Sequence, residues 1–187
     1  MWLVTGETWR PTMSESLRFL IDRISTPIGT MIIAADLEGS LRVALFAEDE
    51  EIVQHYLRIQ CGAREFALEP IANPHGLSDG IRGYFAGELD AIDHLPVETG
   101  GTPFQRKVWL ALRRIRCGAT TSYGALAKEI GHPAAVRAVG TANGANPIAV
   151  VLPCHRVIGA NGSLTGYGGG IERKRWLLDH EKTPTLF

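Results

Sequence analysis

The chain has 187 residues, of which 45% are hydrophobic and 21% charged, and it has no apolar run near the ~20 residues of a membrane span. This composition excludes an intrinsically disordered protein, and we expect no membrane partner. The net charge of −1 is divided unevenly, because residues 1–101 carry 7 basic and 16 acidic side chains, whereas residues 102–187 carry 12 and 4. The asymmetry favours nucleic acid as a partner of the second half, although two halves that neutralise each other would give the same pattern.

The first half is predicted to combine a small antiparallel sheet with helices. Residues 1–12 show no periodicity and are interpreted as an N-terminal extension. Short apolar runs separated by Pro-Ile-Gly and Glu-Gly-Ser predict a strand meander at 19–21, 31–33 and 41–46. Helical patterns follow at 48–60 and from Leu77 to a stop near Gly87. No nucleophiles or ligands gather here, so we expect residues 13–98 to form a scaffold domain.

A linker is predicted at residues 99–101, where Thr-Gly-Gly precedes a strong helix start. Thr102 can cap that helix, Pro103 suits its first position, and Gln105 can bond back to the cap. The second domain is therefore predicted to cover residues 102–187.

A helix-turn-helix is predicted next. A helix from Ser122 to Ile130 is broken by Gly-His-Pro, and a second helix covers 134–142. Ala135 and Ala138 are small enough to let the second helix approach another surface closely, and Arg137 is its only long cationic side chain. Many helical hairpins bind nothing, so this pattern alone leaves DNA binding open.

The candidate nucleophile is Cys154. The apolar run Ile148–Leu152 predicts a buried strand, Pro153 ends it, and Cys154 and His155 follow directly. A free thiol has a pKa of about 8.5, and a histidine or nearby positive charge can lower it. Glu181, on a last helix predicted at 171–181, could orient the histidine. A buried thiol beside an exposed histidine would give the same dipeptide.

The sequence contains little evidence of metal binding, nucleotide binding or disulfide bonds. The three cysteines are an odd number without a secretion signal, which indicates free thiols and a cytoplasmic protein. No CxxC or HExxH spacing occurs, and the glycine-rich loop at 159–170 lacks the phosphate-binding pattern. We expect neither a metal nor a cofactor.

The string IAVVLPCHRVIG at 148–159 resembles the active-site signature of the O6-alkylguanine-DNA alkyltransferases, or methylated-DNA–protein-cysteine methyltransferases. Further segments occur in the order of that family: TPFQ at 102–105, SYG at 122–124, AVRAVG at 135–140, NP at 146–147, GY at 166–167 and KRWLLDHE at 174–181. The resemblance implies the bacterial type of the family and an α+β fold. It also implies a ribonuclease-H-like N-terminal domain and a mainly helical C-terminal domain with a helix-turn-helix.

The resemblance implies the chemical roles. Cys154 would accept the alkyl group, His155 would take the thiol proton through a water, and Glu181 would orient the histidine. Asn146 would tie the helix-turn-helix to the active-site segment by hydrogen bonds. Tyr123 would help to turn out the nucleotide and donate a proton to the leaving guanine.

The resemblance also implies the DNA contacts. Arg137 would fill the space that the rotated guanine leaves, beside Ala135 and Ala138 in the minor groove. The base pocket would be lined by Tyr167 and by the backbone of Val157 and Gly168. Gly168 stands where eukaryotic relatives often carry serine, which predicts a wider pocket that admits larger alkyl groups.

The implied function is irreversible repair of O6-alkylguanine, and of O4-alkylthymine, in duplex DNA by a monomer, with cooperative DNA binding left open. The alternative is a non-catalytic alkyltransferase-like protein, but such proteins replace the acceptor cysteine that this chain keeps at Cys154. A plain helix-turn-helix regulator would need side chains that read major-groove edges. A cysteine hydrolase would turn over repeatedly.

Overall fold

The computed structural model describes residues 16–62 and 64–182, so the predicted extension at 1–12 lies outside the described residues. The predicted α+β class is confirmed. The strands are β1 Leu17–Thr26, β2 Gly29–Ala35, β3 Leu41–Phe46, β4 Phe66–Pro70, β5 Thr121–Ser122 and β6 Val157–Ile158. The helices are α1 Glu51–Cys61, α2 Leu77–Ala86, α3 Pro103–Leu112, α4 Tyr123–Glu129, α5 Val136–Gly144 and α6 Ile171–Lys182.

The main sheet has the order β3-β2-β1-β4. The predicted meander is confirmed, since β2 pairs antiparallel with both β1 and β3. A fourth strand was not predicted: β4 lies parallel to β1, with Leu17 opposite Phe66. Parallel neighbouring strands need a crossover connection. Here α1 leaves β3 at one edge of the sheet and returns the chain to β4, beside β1, at the other edge. The sheet is therefore mixed rather than purely antiparallel.

Both faces of the sheet are covered, which follows from the alternation of side chains along a strand. One face packs on α1 through Ile32, Val43 and Leu57, all fully buried. The other face joins a larger cluster that runs from Ile24 in β1 to Leu177 in α6. That cluster contains residues on both sides of the predicted linker, and the division into two domains stays a prediction.

The predicted linker packs closely against the first half. The amide of Gly100 donates to Gln60 Oε1 at 3.2 Å, and a Cβ on Gly100 would lie 2.8 Å from the Cα of Gln60. Glycine is therefore required here by the close approach of two backbone segments. The capping box that follows is confirmed: Thr102 Oγ1 accepts from the amide of Gln105, and Gln105 Oε1 accepts from the amide of Thr102.

The two helices of the predicted helix-turn-helix are present and pack against each other. Ser122 caps α4 by accepting from the amide of Ala125 at 3.1 Å. The second helix begins at Val136, two residues later than predicted, because Ala135 closes a turn by donating its amide to the carbonyl of His132. Within the described ranges, no helix is long and apolar enough to span a membrane.

The predicted strand at Ile148–Leu152 is wrong. These residues are buried as expected, but they form a turn, and a short 3₁₀ helix covers Cys154–Arg156. The hydrogen bond from the amide of Leu152 to the carbonyl of Ile148 reverses the chain where a strand would continue. Apolar composition indicates burial and does not by itself distinguish a strand from a buried turn.

Candidate active site

Asn146 shapes the turn that presents Cys154. Its side chain is buried, and its Nδ2 donates to the carbonyls of Leu152 at 2.7 Å and Ile148 at 3.3 Å. Its Oδ1 accepts from the amide of Ile148 at 3.0 Å. One amide side chain thus satisfies three backbone groups that a buried turn would otherwise leave unpaired. Asn146 therefore acts as an internal brace for the segment.

The turn contains one strained residue and is fastened to the main sheet. Val150 has a φ of 72°, in the left-handed region that a β-branched residue rarely adopts, at a cost on the order of 1–3 kcal/mol. Next to it, the amide of Ala149 donates to the carbonyl of Ala44 at 2.7 Å, and the amide of Ala44 donates to Pro147 at 2.9 Å. The edge strand β3 therefore holds the turn in place and compensates its strain.

The thiol of Cys154 is shielded from solvent, with 5% of the residue exposed. Burial raises the pKa of Cys154, and this effect outweighs the opposing hydrogen bond from Asn146 and the positive charge of Lys174. The expected lowering of this pKa is therefore not found. The resting side chain is a neutral thiol, so a nearby base has to take its proton during a reaction.

His155 is positioned to be that base. The side chain is fully buried, and its Nε2 lies 2.8 Å from Glu181 Oε1, as the predicted pairing requires. Burial lowers the pKa of His155 more than Glu181 raises it, which favours the neutral ring. Because the carboxylate can only accept, the hydrogen-bond network assigns the proton to Nε2. The other nitrogen, Nδ1, has no partner among the described residues and can accept a proton.

Glu181 is the centre of a buried polar network. Arg156 donates Nε and Nη2 to its carboxylate at 2.9 and 2.8 Å, and the hydroxyl of Tyr84 donates to Oε1 at 2.8 Å. Burial alone would raise the pKa of Glu181, but the hydrogen bonds from His155 and Arg156 hold it well below its usual value. Glu181 is therefore a carboxylate that can stabilise an imidazolium.

Lys174 is a buried cation that sequence reasoning missed. It is fully buried in α6, and its Nζ donates to the carbonyl of Val157 at 2.7 Å and to that of Thr165 at 2.9 Å. These bonds join β6 to the glycine-rich loop. Lys174 and Glu181 are seven positions apart, so they lie on the same helix face as Leu177 and Leu178. Their position on this apolar face was the sequence signal that both charged side chains are buried.

A cavity of about 60 Å³, the active-site cavity, opens onto Cys154. Its lining comes from both halves of the chain: Leu45, Phe46, Ile52, Tyr56, Asn143, Gly144, Asn146, Ala149, Cys154, Tyr167, Gly168 and Gly169. The hydroxyl of Tyr167 and the Oδ1 of Asn143 are buried here without partners among the described residues. The expectation that the first half is only a scaffold is therefore incomplete.

The predicted pocket residues do not all meet at this cavity. Tyr167 and Gly168 line it, but Val157 does not, and the carbonyl of Val157 already accepts from Lys174. His155 and Glu181 are paired with each other and are not among the residues that line the cavity. Cys154 therefore lines the cavity, while the candidate base and its carboxylate do not.

The predicted DNA contacts lie on the surface of α5 and beside it. Arg137 and Ala138 are exposed and Ala135 is partly exposed. Tyr123, at the start of α4, is half-buried, and its hydroxyl accepts from Thr165 Oγ1 at 3.1 Å. The ring of Tyr123 lies 3.8 Å from where a Cβ on Gly140 would stand, so Gly140 of α5 gives this ring room. Tyr123 thus connects α5 to the glycine-rich loop.

Metal chemistry has no site in the described part of the chain, where no three His, Cys, Asp or Glu side chains are grouped to hold an ion.

Comparisons with known proteins agree on one family. The family model described as "6-O-methylguanine DNA methyltransferase, DNA binding domain" matches residues 103–183. A methylated-DNA–protein-cysteine methyltransferase of Shigella flexneri is 51% identical over 165 residues, covering 88% of this chain and 96% of the relative. The crystal structure of Mycobacterium tuberculosis O6-methylguanine methyltransferase is 41% identical, with a TM-score of 0.72 over 90% of this chain and 96% of that one. The crystal structure of M. tuberculosis OGT in complex with DNA is 42% identical, with a TM-score of 0.70, and the match covers 89% of this chain and 93% of that one.

Proposed function

The chain belongs to the family of methylated-DNA–protein-cysteine methyltransferases, and from this premise we propose that it transfers the alkyl group of O6-alkylguanine in duplex DNA to the Sγ of Cys154. The observation that carries the proposal is that Cys154 lines a small cavity and is followed directly by His155, whose buried ring is paired with Glu181.

The first step is removal of the thiol proton. The neutral His155 offers Nδ1, and no direct hydrogen bond joins it to Cys154 within the described residues, so the proton passes through one water. The imidazolium that forms is stabilised by the Glu181 carboxylate at 2.8 Å. Asn146 and the positive charge of Lys174 stabilise the thiolate for the short time that it exists.

The second step is displacement at the alkyl carbon. The thiolate attacks that carbon, a sulfur–carbon bond forms, and the bond from carbon to guanine O6 breaks. The departing guanine takes up a proton from the hydroxyl of Tyr123, which regains it from the imidazolium or from solvent. The products are a normal guanine and an S-alkyl cysteine, so atoms and charge balance.

The cysteine is not regenerated in this scheme. A thioether offers water no leaving group comparable to an acyl oxygen or amine, whereas covalent intermediates that turn over depend on one. Each protein molecule therefore repairs one lesion, and the rate is measured under single-turnover conditions.

Access to the lesion requires the base to leave the duplex. Flipping costs a few kcal/mol, and an inserted side chain can replace the lost stacking. Arg137 suits this role because it is exposed on α5 and makes no ion pair within the described ranges. Ala135 and Ala138 are small enough to let this surface approach the narrow minor groove. O4-alkylthymine, which presents an alkyl group on a similar exocyclic oxygen, is proposed as a second substrate.

The test is intact-protein mass spectrometry after incubation with duplex DNA that contains O6-methylguanine, followed by peptide mapping. We expect a gain of one methyl group on Cys154 that saturates at one per protein. No gain in mass, with selective binding of the damaged duplex retained, would favour the alkyltransferase-like alternative instead.

A further inference from the structure

Four residues of the active-site cavity come from the first half of the chain, where the sequence indicated no functional residues. Leu45 and Phe46 lie at the end of β3, and Ile52 and Tyr56 lie on α1. Ile52 and Tyr56 are four residues apart and share one face of the helix. They form the part of the wall that faces the C-terminal loops across the cavity.

The strand residue Phe46 and the helix residues Ile52 and Tyr56 differ in how many neighbours fix their side chains. Arg173 places its guanidinium 5.1 Å from the ring centre of Phe46, and Phe85 meets that ring edge-on. Ile52 is 42% exposed, so much of its apolar side chain is open to solvent. The hydroxyl of Tyr56 makes no hydrogen bond with any described residue. The helix side of the wall thus presents the apolar side chain of Ile52 and the phenol ring of Tyr56, which a ligand could cover.

The second half of the chain contributes both small and large residues to the cavity. Four of them are small, Gly144, Ala149, Gly168 and Gly169, and three are larger, Asn143, Asn146 and Tyr167. A Cβ on Gly168 would have only the carbonyl of Gly144 within 4 Å, at 3.9 Å, so the space beside this residue is open. A longer or aromatic group on Sγ occupies more of the cavity than a methyl group does.

Tyr56 lines the same cavity as Cys154 and lies near enough for a thiolate there to affect it electrostatically. Burial raises the pKa of Tyr56, and the proximity of Cys154 raises it further. The phenol ring is therefore within electrostatic range of the atom that receives the alkyl group, although it belongs to the other half of the chain.

We propose that Ile52 and Tyr56 determine specificity by contacting alkyl groups larger than methyl, and that they favour transfer of apolar groups such as benzyl. The inference rests on the proposed function, since it concerns the group that Cys154 accepts. Contact with a benzyl ring would bury the exposed side chain of Ile52 and pair two aromatic rings. A methyl group offers much less apolar surface for such contact.

The test compares single-turnover rate constants for duplexes containing O6-benzylguanine and O6-methylguanine. We expect Tyr56→Ala to lower the benzyl-to-methyl ratio about tenfold and Ile52→Ala about threefold. Tyr56→Phe keeps the ring and is expected to keep the ratio. Ile59→Ala is the matched control, because Ile59 is 59% exposed on the same helix and does not line the cavity.

The outcomes separate the inference from the function beneath it. If no variant and no wild-type protein transfers a methyl group, the proposed function fails. If methyl transfer proceeds and the ratio stays constant in Tyr56→Ala and Ile52→Ala, the inference is overturned. A higher ratio in these variants would also overturn it, because the wall would then exclude large groups rather than favour them. Melting temperatures show whether each variant is folded.

Discussion

The two halves of the chain treat buried polar groups differently. Of the buried polar or charged residues described, the first half contributes Asp36 and Ser78. The second half contributes six: Asn143, Asn146, His155, Arg156, Lys174 and Glu181. Burying such groups costs free energy unless partners are supplied, so their concentration within about 40 residues indicates a region selected for chemistry. The first half supplies mainly apolar walls and the hydroxyl of Tyr84.

The two halves also differ in net charge and in what they contribute to the active site. The acidic first half forms the sheet whose edge strand β3 holds the active-site turn through Ala44. The basic second half carries the thiol, the base and the exposed helix α5. Reactivity is thus placed in one half, while the shape of the cavity depends on both. Paired substitutions, one in each half, can test this division.

The largest loss of alkyl transfer is expected when Cys154 is replaced. Cys154→Ser should abolish alkyl transfer, because an alcohol is not deprotonated by a neutral histidine as readily as a thiol, and binding of damaged DNA should persist. Cys61→Ser in the first half should transfer at the wild-type rate, because Cys61 lies outside the active-site cavity. The measurement is methyl transfer from labelled duplex DNA. Transfer by Cys154→Ser would exclude Cys154 as the acceptor.

The next effect concerns the buried carboxylate. Glu181→Gln leaves Arg156 buried without a countercharge and should lower the free energy of unfolding by about 3 kcal/mol. Asp36→Asn, which affects the more accessible pair with Arg42 in the first half, should cost about 1 kcal/mol. Urea unfolding at pH 7 provides both values. Equal losses would contradict a special role for the second-half network.

The difference in stability between wild type and Glu181→Gln should depend on pH. The folded pKa of Glu181 lies below the unfolded value of about 4.3, so its ionisation stabilises the protein fully above that value. This contribution is lost as the pH falls from about 5 toward the folded pKa. The stability gap between wild type and Glu181→Gln should therefore narrow over that range. A gap independent of pH would show that the carboxylate charge is not what stabilises the network.

A smaller effect is expected on the DNA surface. Arg137→Ala should slow repair of duplex DNA about tenfold, or ~1.4 kcal/mol of the few kcal/mol that base flipping costs. Its reaction with free O6-benzylguanine should change much less, since no gap in a duplex needs filling. Arg58→Ala on α1 serves as the control in the first half. Equal losses on duplex and free base would count against an inserted arginine.

The smallest effect is expected at the glycine-rich loop. Gly168→Ser places a Cβ in ordinary contact with the carbonyl of Gly144, so the variant should fold normally. The added side chain narrows the cavity and should lower the benzyl-to-methyl rate ratio about threefold. An unchanged ratio would refute the prediction that Gly168 widens the pocket.

Local rules predicted the parts of the fold that depend on neighbouring residues. The capping box at Thr102 and the helix stop at Gly87 follow from hydrogen bonds within a few positions, and both are confirmed. The pairing of His155 with Glu181 was also predicted, first as a possible partner on the last helix and then through resemblance to the family. The catalytic and binding roles of these residues stay predictions until they are tested.

The sequence by itself determined the family, the α+β class and the identity of the candidate nucleophile, because these depend on local motifs and their order. Only the tertiary structure decided that residues 148–152 turn back, since Asn146 and the edge of β3 satisfy the turn's backbone groups from outside it. It also decided that Tyr84, Ile52 and Tyr56 reach the site. Their contacts join positions about 100 residues apart, and no pattern along the chain specifies which surfaces meet in three dimensions.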